Sequence, residues 1–262
     1  MLSLTDGNSQ KMKLPNFYSS YQDALAECYD SGYANEELAR LIVEKNKSYR
    51  EKLAANPTID TNSSRIMRAF SMYRCSNALN VLDFGGGAGN HHAIAKLLLP
   101  NIVSLRWAIV ETEVMVKYAS SIAVDGLTFH ENYIEAAEDL GKVDLLVLSG
   151  SLQYCEYPLR TLDSLLKLRP HRVFITRTPL SHQGNRHVVL QESNLADNGP
   201  GPLPGGFEDR IVTYPCVFET VVGIEELIRS SGYLVKYRLV EESSFHGKDG
   251  PLFAFEYLCE PV

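Results

Sequence analysis

A glycine-rich segment, VLDFGGGAGN at residues 81–90, constrains the fold more than any other part of the chain. Two branched apolar residues lead into Asp83, glycines follow at positions 85, 86, 87 and 89, and a run with helical spacing comes next. This order predicts a strand, a tight turn and a helix, because glycine permits positive φ and lets a ligand approach the backbone closely. The first turn of such a helix offers unpaired N–H groups to an anionic ligand group.

The spacing of the glycines narrows the choice of ligand. No lysine follows them, as a phosphate-binding loop requires, and Asn90 and His92 stand where the dinucleotide fingerprint G-x-G-x-x-G needs glycine. The pattern present, Asp-x-Gly-x-Gly-x-Gly, resembles motif I of the Rossmann-like methyltransferases that use S-adenosylmethionine (SAM). The resemblance implies that SAM, and S-adenosylhomocysteine as its product, bind at this turn. A glycine turn without a ligand is the alternative, and four glycines with one acid in seven residues argue against it.

Composition excludes several classes of protein. The chain has 262 residues and a formal net charge of −7, which disfavours a broad nucleic-acid-binding surface. No apolar run is long enough to span a membrane, and the first residues lack the pattern of a signal peptide. Five scattered cysteines, never spaced as C-x-x-C, argue against a structural zinc site or a disulfide framework. We therefore expect a cytoplasmic protein, whose oligomeric state the sequence leaves open.

The order of predicted elements gives the fold class. Helical patterns occupy the first quarter, and strands and helices alternate only from Val81 onward, ending in a helix and a strand hairpin with its turn at 243–250. By resemblance we predict an α/β, Rossmann-like SAM methyltransferase fold, with a seven-stranded, mostly parallel sheet and an antiparallel C-terminal strand. Residues 1–62 form a helical N-terminal extension or lid, and residues 63–262 form the SAM-binding domain. A proline- and glycine-rich, irregular insertion at 178–215 interrupts that domain.

Candidate cofactor residues lie where the predicted strands end. Glu111, about 20 residues beyond the glycine turn, is placed to accept hydrogen bonds from ribose hydroxyls. Asp83 faces the methionine amino group or holds the turn through backbone bonds. The resemblance implies that the loop with Asn132 meets adenine, which an amide side chain can pair with. The predicted cofactor-binding residues are Asp83, Phe84, Gly85, Gly86, Gly87, Gly89, Glu111, Thr112, Asn132, Tyr133, Ser149, Gly150 and Ser151. No metal is predicted, because the end of the fourth strand carries no carboxylate for a hard cation.

Methyl transfer to a hydroxyl needs a base at the mouth formed by the strand ends. The sulfonium of SAM is already activated, so the protein positions the acceptor and removes its proton. His182 is the preferred base because it follows the fifth strand and because histidine titrates near neutral pH. His187 and Tyr154 are the other candidates, and Arg177 would hold an anionic group of the acceptor.

Further segments resemble a particular group of proteins. They are Phe17-Tyr18-x-x-Tyr21, Ser31-Gly32-Tyr33, Ser151-Leu152-Gln153-Tyr154 and Thr176-Arg177-Thr178-Pro179. Together with the glycine turn they are similar to a family of bacterial methyltransferases, some of whose members lie among surface-polysaccharide genes. This resemblance implies a SAM-dependent methyltransferase acting on a small polar acceptor, by O-methylation of a sugar, glycan precursor or related metabolite. The alternatives are a SAM- or nucleotide-binding protein without activity and an NAD-dependent oxidoreductase.

Overall fold

The computed structural model describes residues 16–29, 32–70, 77–182, 184–248 and 250–262. Its helices are α1 (Tyr21–Ala26), α2 (Glu36–Ala55), α3 (Ile66–Phe70), α4 (Asn90–Leu98), α5 (Glu113–Ala119), α6 (Tyr133–Leu140), α7 (Pro158–Leu166) and α8 (Val221–Ser230). Its strands are β1 (Phe17–Tyr18), β2 (Ala78–Phe84), β3 (Ser104–Val110), β4 (Leu127–His130), β5 (Leu145–Ser149), β6 (Arg172–Leu180), β7 (His187–Asn194), β8 (Ile211–Phe218), β9 (Tyr233–Gly247) and β10 (Gly250–Pro261). None of the described helices is both long and apolar enough to cross a membrane.

Seven strands form the main sheet in the order β4-β3-β2-β5-β6-β10-β9. Strands β2 to β6 run parallel to their neighbours, whereas β10 is antiparallel to both β6 and β9. Buried apolar clusters cover both faces, with Leu82 and Ile175 on one face and Val81 and Phe174 on the other. Strands buried on two faces read as continuous apolar runs, which is why β5, the most apolar, occupies the centre. The predicted α/β, Rossmann-like fold is confirmed.

The prediction of an irregular insertion at 178–215 is wrong. Strands β7 and β8 pair antiparallel through eight residue pairs, from His187↔Phe218 to Asn194↔Ile211. The short β1 adds to β7, so that a second, three-stranded sheet β1-β7-β8 forms. The prolines and glycines suggested irregular backbone over the whole segment. Most of them lie at 199–206, inside the connection that joins the two regular strands.

The first two helices of the N-terminal extension begin at polar residues, Ser20 and Asn35, of the types that cap helices in sequence. The side chain of Ser20 accepts a hydrogen bond from Asp23 N, and the side chain of Asn35 accepts one from Leu38 N. Helix α2 ends at Ala55, directly before Asn56-Pro57, because the residue before a proline disfavours helical backbone. The apolar spacing predicts a third helix over about 63–73. The structure has a 3-10 turn and α3 up to Phe70 there, and residues 71–73 lie outside the described ranges.

The C-terminal hairpin is longer than predicted. Strand β9 continues to Gly247 and β10 begins at Gly250, so the predicted turn at 243–250 is mostly strand. Polar side chains in this stretch suggested a turn, yet pairing with β10 supplies its backbone hydrogen bonds.

Candidate functional site

The glycine segment forms a turn between β2 and α4. Gly85, Gly87 and Gly89 have φ angles of +72°, +59° and +87°, a region that favours glycine. Gly85 N donates a hydrogen bond to Val110 O of β3 at 2.9 Å, which holds the turn at the carboxyl end of the sheet. A Cβ on Gly85 would collide with the Cβ of Ser151, so the turn and the segment after β5 touch through bare backbone. The sequence predicted this turn, and the structure brings it against Ser151.

Asp83 is held beneath the turn by side-chain contacts, and its contact with a methionine amino group stays a prediction. Its Oδ2 accepts hydrogen bonds from Trp107 Nε1 at 3.1 Å and faces His91 Nδ1 at 3.0 Å. Gly86 packs on the carboxylate, since a Cβ there would lie 2.6 Å from Asp83 Oδ2. The carboxylate is fully buried and joins β2 to β3 and α4 beneath the turn. The structure describes no hydrogen-bond partner for its Oδ1.

Glu111 connects the end of β3 to the glycine turn. Its Oε1 accepts a hydrogen bond from Gly87 N at 2.9 Å, and its Oε2 accepts one from Thr112 N at 3.0 Å. Burial raises the pKa of this carboxyl above its usual value, although the two N–H donors oppose the shift. Thr112 caps α5 through a hydrogen bond from Met115 N at 3.3 Å. Each carboxylate oxygen keeps a lone pair for a ligand hydroxyl.

Asn132 and Tyr133 lie at the start of α6, after β4. The Asn132 side-chain oxygen caps the helix by accepting a hydrogen bond from Ile134 N at 2.7 Å, and Asn132 is exposed. Tyr133 is half-buried and packs on the apolar core. The amide nitrogen of Asn132 is not used in this cap, so contact of this residue with adenine stays a prediction.

Buried polar atoms without partners collect at the ends of β2 and β5. Besides Asp83 Oδ1, they include Ser151 Oγ and Gln153 Oε1, and the structure describes no hydrogen-bond partner for any of the three. Gly150 N, by contrast, donates to Thr176 O of β6 at 2.9 Å. Burying an unpaired polar atom costs about 1–3 kcal/mol, so such atoms are typical of sites that bind polar groups of a ligand.

Helix α2 lies across the glycine turn, which the sequence did not reveal. Arg50 donates from Nη2 to Ala88 O at 2.9 Å and from Nη1 to Ile122 O at 2.7 Å. One turn earlier, Lys45 donates to Ala196 O at 2.6 Å and to Asn198 O at 2.8 Å. The available signal was a lysine on the apolar stripe of α2, where a charged residue is unusual. These bonds join the N-terminal extension to both the turn and the β7–β8 connection.

Three tyrosines pack where the small sheet meets the end of β5. The ring of Tyr33 stacks on Tyr214 with centroids 4.3 Å apart and meets Tyr154 edge-on at 4.6 Å. The Tyr154 hydroxyl donates to Gln191 Oε1 at 2.9 Å, and burial raises the pKa of Tyr154 well above its usual value. Tyr154 is a candidate from the sequence, whereas Tyr214 and Gln191 are not, because they belong to the strands predicted as an irregular insertion.

The two histidine candidates lie at different places. His182 is exposed, and its ring lies 5.6 Å from the Phe255 ring and 6.1 Å from the Phe253 ring, both on β10. His187 is buried in the first pair of the β7–β8 hairpin, with its ring 5.7 Å from Phe17. The His182 ring thus packs on β10 and the His187 ring on Phe17, and the identity of a base stays a prediction.

Comparison with known proteins identifies similar folds. No known family profile matches the chain, and no curated protein matches it. A SAM-dependent methyltransferase from Methanosarcina mazei is 12% identical with a TM-score of 0.46, and the alignment covers 75% of this chain and 97% of that one. One from Clostridium acetobutylicum is 12% identical with a TM-score of 0.47 and coverage of 83% and 98%. The glycopeptide N-methyltransferase MtfA is 17% identical with a TM-score of 0.44 and coverage of 74% and 89%. These likenesses concern the fold alone.

Proposed function

We propose that this protein is a SAM-dependent methyltransferase that acts on a small polar acceptor, by O-methylation of a sugar or related metabolite. The proposal rests on one observation, a hydrogen bond that connects the segment after β2 with the residue after β3. The Glu111 carboxylate there accepts a hydrogen bond from Gly87 N inside the glycine turn. The carboxylate can accept hydrogen bonds from hydroxyl groups such as those of the SAM ribose. The bare backbone beside it leaves room for the amino-acid part of SAM.

The residues around the turn fit this cofactor. Glu111 would accept hydrogen bonds from the ribose hydroxyls, and the backbone of 85–87 would lie against the amino-acid part. Ser151 Oγ and Gln153 Oε1 would find partners in the polar groups of the ligand. When bound, SAM supplies a methyl group already activated on a sulfonium. The chain then has to hold the acceptor in line, exclude water and receive a proton from its hydroxyl.

The NAD-dependent alternative is less consistent with the turn. Dinucleotide binding uses the third glycine of its fingerprint for close helix–strand packing. Here Asn90 begins α4, and His91 occupies that interface by pairing with the Asp83 carboxylate at 3.0 Å. A SAM-binding protein without activity remains the other alternative. Transfer of label from SAM to any small molecule would exclude it.

Calorimetry with three ligands tests the cofactor. We expect SAM and S-adenosylhomocysteine to bind and NAD to show no heat of binding. In Glu111→Gln the amide NH₂ would face an N–H donor, so S-adenosylhomocysteine affinity should fall about 10- to 100-fold. The control is Glu113→Gln in the exposed first turn of α5, which should bind normally. Tight NAD binding without any response to S-adenosylhomocysteine would refute the proposal.

We also propose that the N-terminal extension and the β7–β8 connection form a lid that excludes water from the transfer step. The side chain of Ile42 on α2 lies 3.7 Å from the position of a Cβ on Gly87, and its Cα lies 3.5 Å from that on Gly199. Helix α2 therefore separates the turn from the connection by one layer of side chains. Ligand bound at the turn should restrain both.

Limited proteolysis with an endoprotease specific for glutamate tests the lid. Cleavage should occur after the exposed Glu208 and should slow when S-adenosylhomocysteine is added. Lys45→Met removes the bonds to the connection and should speed cleavage about tenfold. Lys47→Met is the control, since Lys47 is exposed and its ion pair among the described residues is with Glu44 of the same helix. If neither S-adenosylhomocysteine nor Lys45→Met changed the cleavage rate, the β7–β8 connection would be a linker and not part of a lid.

A further inference from the structure

Arg177 has a backbone conformation that its position in a strand does not explain. Its φ is +54°, and among the described residues Arg169 is the one other non-glycine with positive φ, at +55°. Arg169 follows the last turn of α7, where a left-handed residue commonly ends a helix. Arg177 lies inside β6, where side chains normally adopt extended backbone. Such an outlier is a reason to look for a function.

The cause is a β-bulge between β6 and β10. Ile175 pairs with Tyr257 and Thr178 pairs with Phe255, so that Thr176 and Arg177 together oppose the single residue 256. Bulges of this kind usually place glycine at the left-handed position, and they re-aim side chains beside active sites. Here an arginine occupies that position, and its side chain leaves the normal alternation of the strand.

The bulge directs Arg177 over the end of β5. A Cβ on Gly150 would lie 3.6 Å from both Nε and Cζ of the guanidinium, so the side chain rests on bare backbone. Gly150 adjoins Ser151, which touches Gly85 of the glycine turn. Arg177 is exposed, and within the described part of the chain it forms no ion pair. An unpaired guanidinium thus lies at the end of β6, and one strand, β5, separates it from the glycine turn after β2.

The Glu256 carboxylate, on the residue opposite the bulge, already has hydrogen-bond partners. Glu256 accepts hydrogen bonds from Arg68 at 2.6 and 2.7 Å, from Thr176 Oγ1 at 2.7 Å and from Tyr237 at 3.0 Å. Its oxygens are therefore taken by the chain itself. The guanidinium N–H groups of Arg177 can therefore donate to a ligand.

We propose, as an extension of the proposed function, that the methyl acceptor carries a carboxylate that Arg177 binds bidentately. A planar guanidinium matches a carboxylate in charge and geometry. A single arginine neutralises one negative charge, which matches a carboxylate better than a doubly charged phosphate. The strained backbone is retained because it aims this group at the acceptor.

NMR of ¹⁵Nε-labelled arginine in the S-adenosylhomocysteine complex tests this inference with acetate as the probe. The Arg177 signal, identified by its loss in Arg177→Gln, should shift saturably at acetate concentrations on the order of 10 mM. The Nε of Arg160, an exposed arginine on α7 near Tyr157, should shift only with ionic strength. Inorganic phosphate should shift the Arg177 signal at higher concentrations than acetate.

The melting temperature distinguishes a strained backbone at Arg177 that serves ligand binding from one that stabilises the fold. Arg177→Gly removes both the side chain and the strain, so it should abolish the anion response and raise the Tm by about 2–4 °C. Arg177→Gln keeps the strain and should leave the Tm unchanged. A lower Tm in Arg177→Gly would show that the side chain stabilises the fold, and would overturn the inference.

Three other results would also overturn it. They are an Arg177 signal without saturable acetate shift, tighter binding of phosphate than of acetate, and a tenfold loss of S-adenosylhomocysteine affinity in Arg177→Gln. The last would assign Arg177 to the carboxylate of the cofactor. If the wild-type protein does not bind S-adenosylhomocysteine at all, the proposed function fails, and acetate binding to the free protein still reports on Arg177.

Discussion

Gly85→Ala is expected to abolish binding of S-adenosylhomocysteine. The new Cβ would collide with Ser151 Cβ, and the φ of +72° disfavours any side chain. In the wild-type protein, ligand at 100 times its Kd should stabilise the native state by about 2.7 kcal/mol and raise the Tm by about 5–10 °C. In the variant this increase should be absent. Gly85→Val, with a larger side chain, should behave in the same way.

A control variant at another glycine separates the effect of the collision on ligand binding from the effect of backbone strain. Gly141 ends α6 with a φ of +73°, and a Cβ there meets no atom within 4 Å. Gly141→Ala should therefore lose about 1–2 kcal/mol of stability and keep full ligand response. The double variant Gly85→Ala/Ser151→Gly removes the collision and should regain part of the binding. Normal binding by Gly85→Ala alone would mean that the ligand lies elsewhere.

His182→Ala is expected to lower turnover by about 10²–10⁴-fold while leaving S-adenosylhomocysteine affinity intact. A hydroxyl acceptor is a poor nucleophile until a base takes its proton. His182 is exposed, so its loss should not unfold the chain. Turnover can be measured as label transferred from SAM to components of a cell extract. His171→Ala is the control, because the exposed His171 precedes β6 at the opposite end of the sheet.

Tyr154 provides the competing assignment. The raised pKa of its hydroxyl, caused by burial, opposes formation of a tyrosinate near neutral pH. Tyr154→Phe should therefore retain more turnover than His182→Ala, although it loses the hydrogen bond to Gln191. An inactive Tyr154→Phe beside an active His182→Ala would transfer the role to Tyr154. Activity in both variants would indicate an acceptor that is already nucleophilic, such as an amine, and would refute O-methylation with a general base.

Local sequence signals were enough for most of the fold. Apolar runs such as 145–149 became central strands, and Ser20 and Asn35 began helices through their side-chain caps. These features depend on neighbours within a few residues, which the sequence shows directly. The segment 178–215 was misjudged because its two strands pair with each other across the 16 residues from 195 to 210, which include a cluster of prolines and glycines.

By itself, then, the sequence determined the glycine turn, the position of Glu111 after the neighbouring strand and the alternating α/β order. Each follows from the periods of helix and strand and from the freedom of glycine. Only the tertiary structure decided that Asp83 is held by Trp107 and His91, that α2 covers the turn through Arg50, and that a bulge aims Arg177 over Gly150. Those contacts join residues from 8 to 38 positions apart along the chain. Their geometry depends on how the elements pack, which no local pattern encodes.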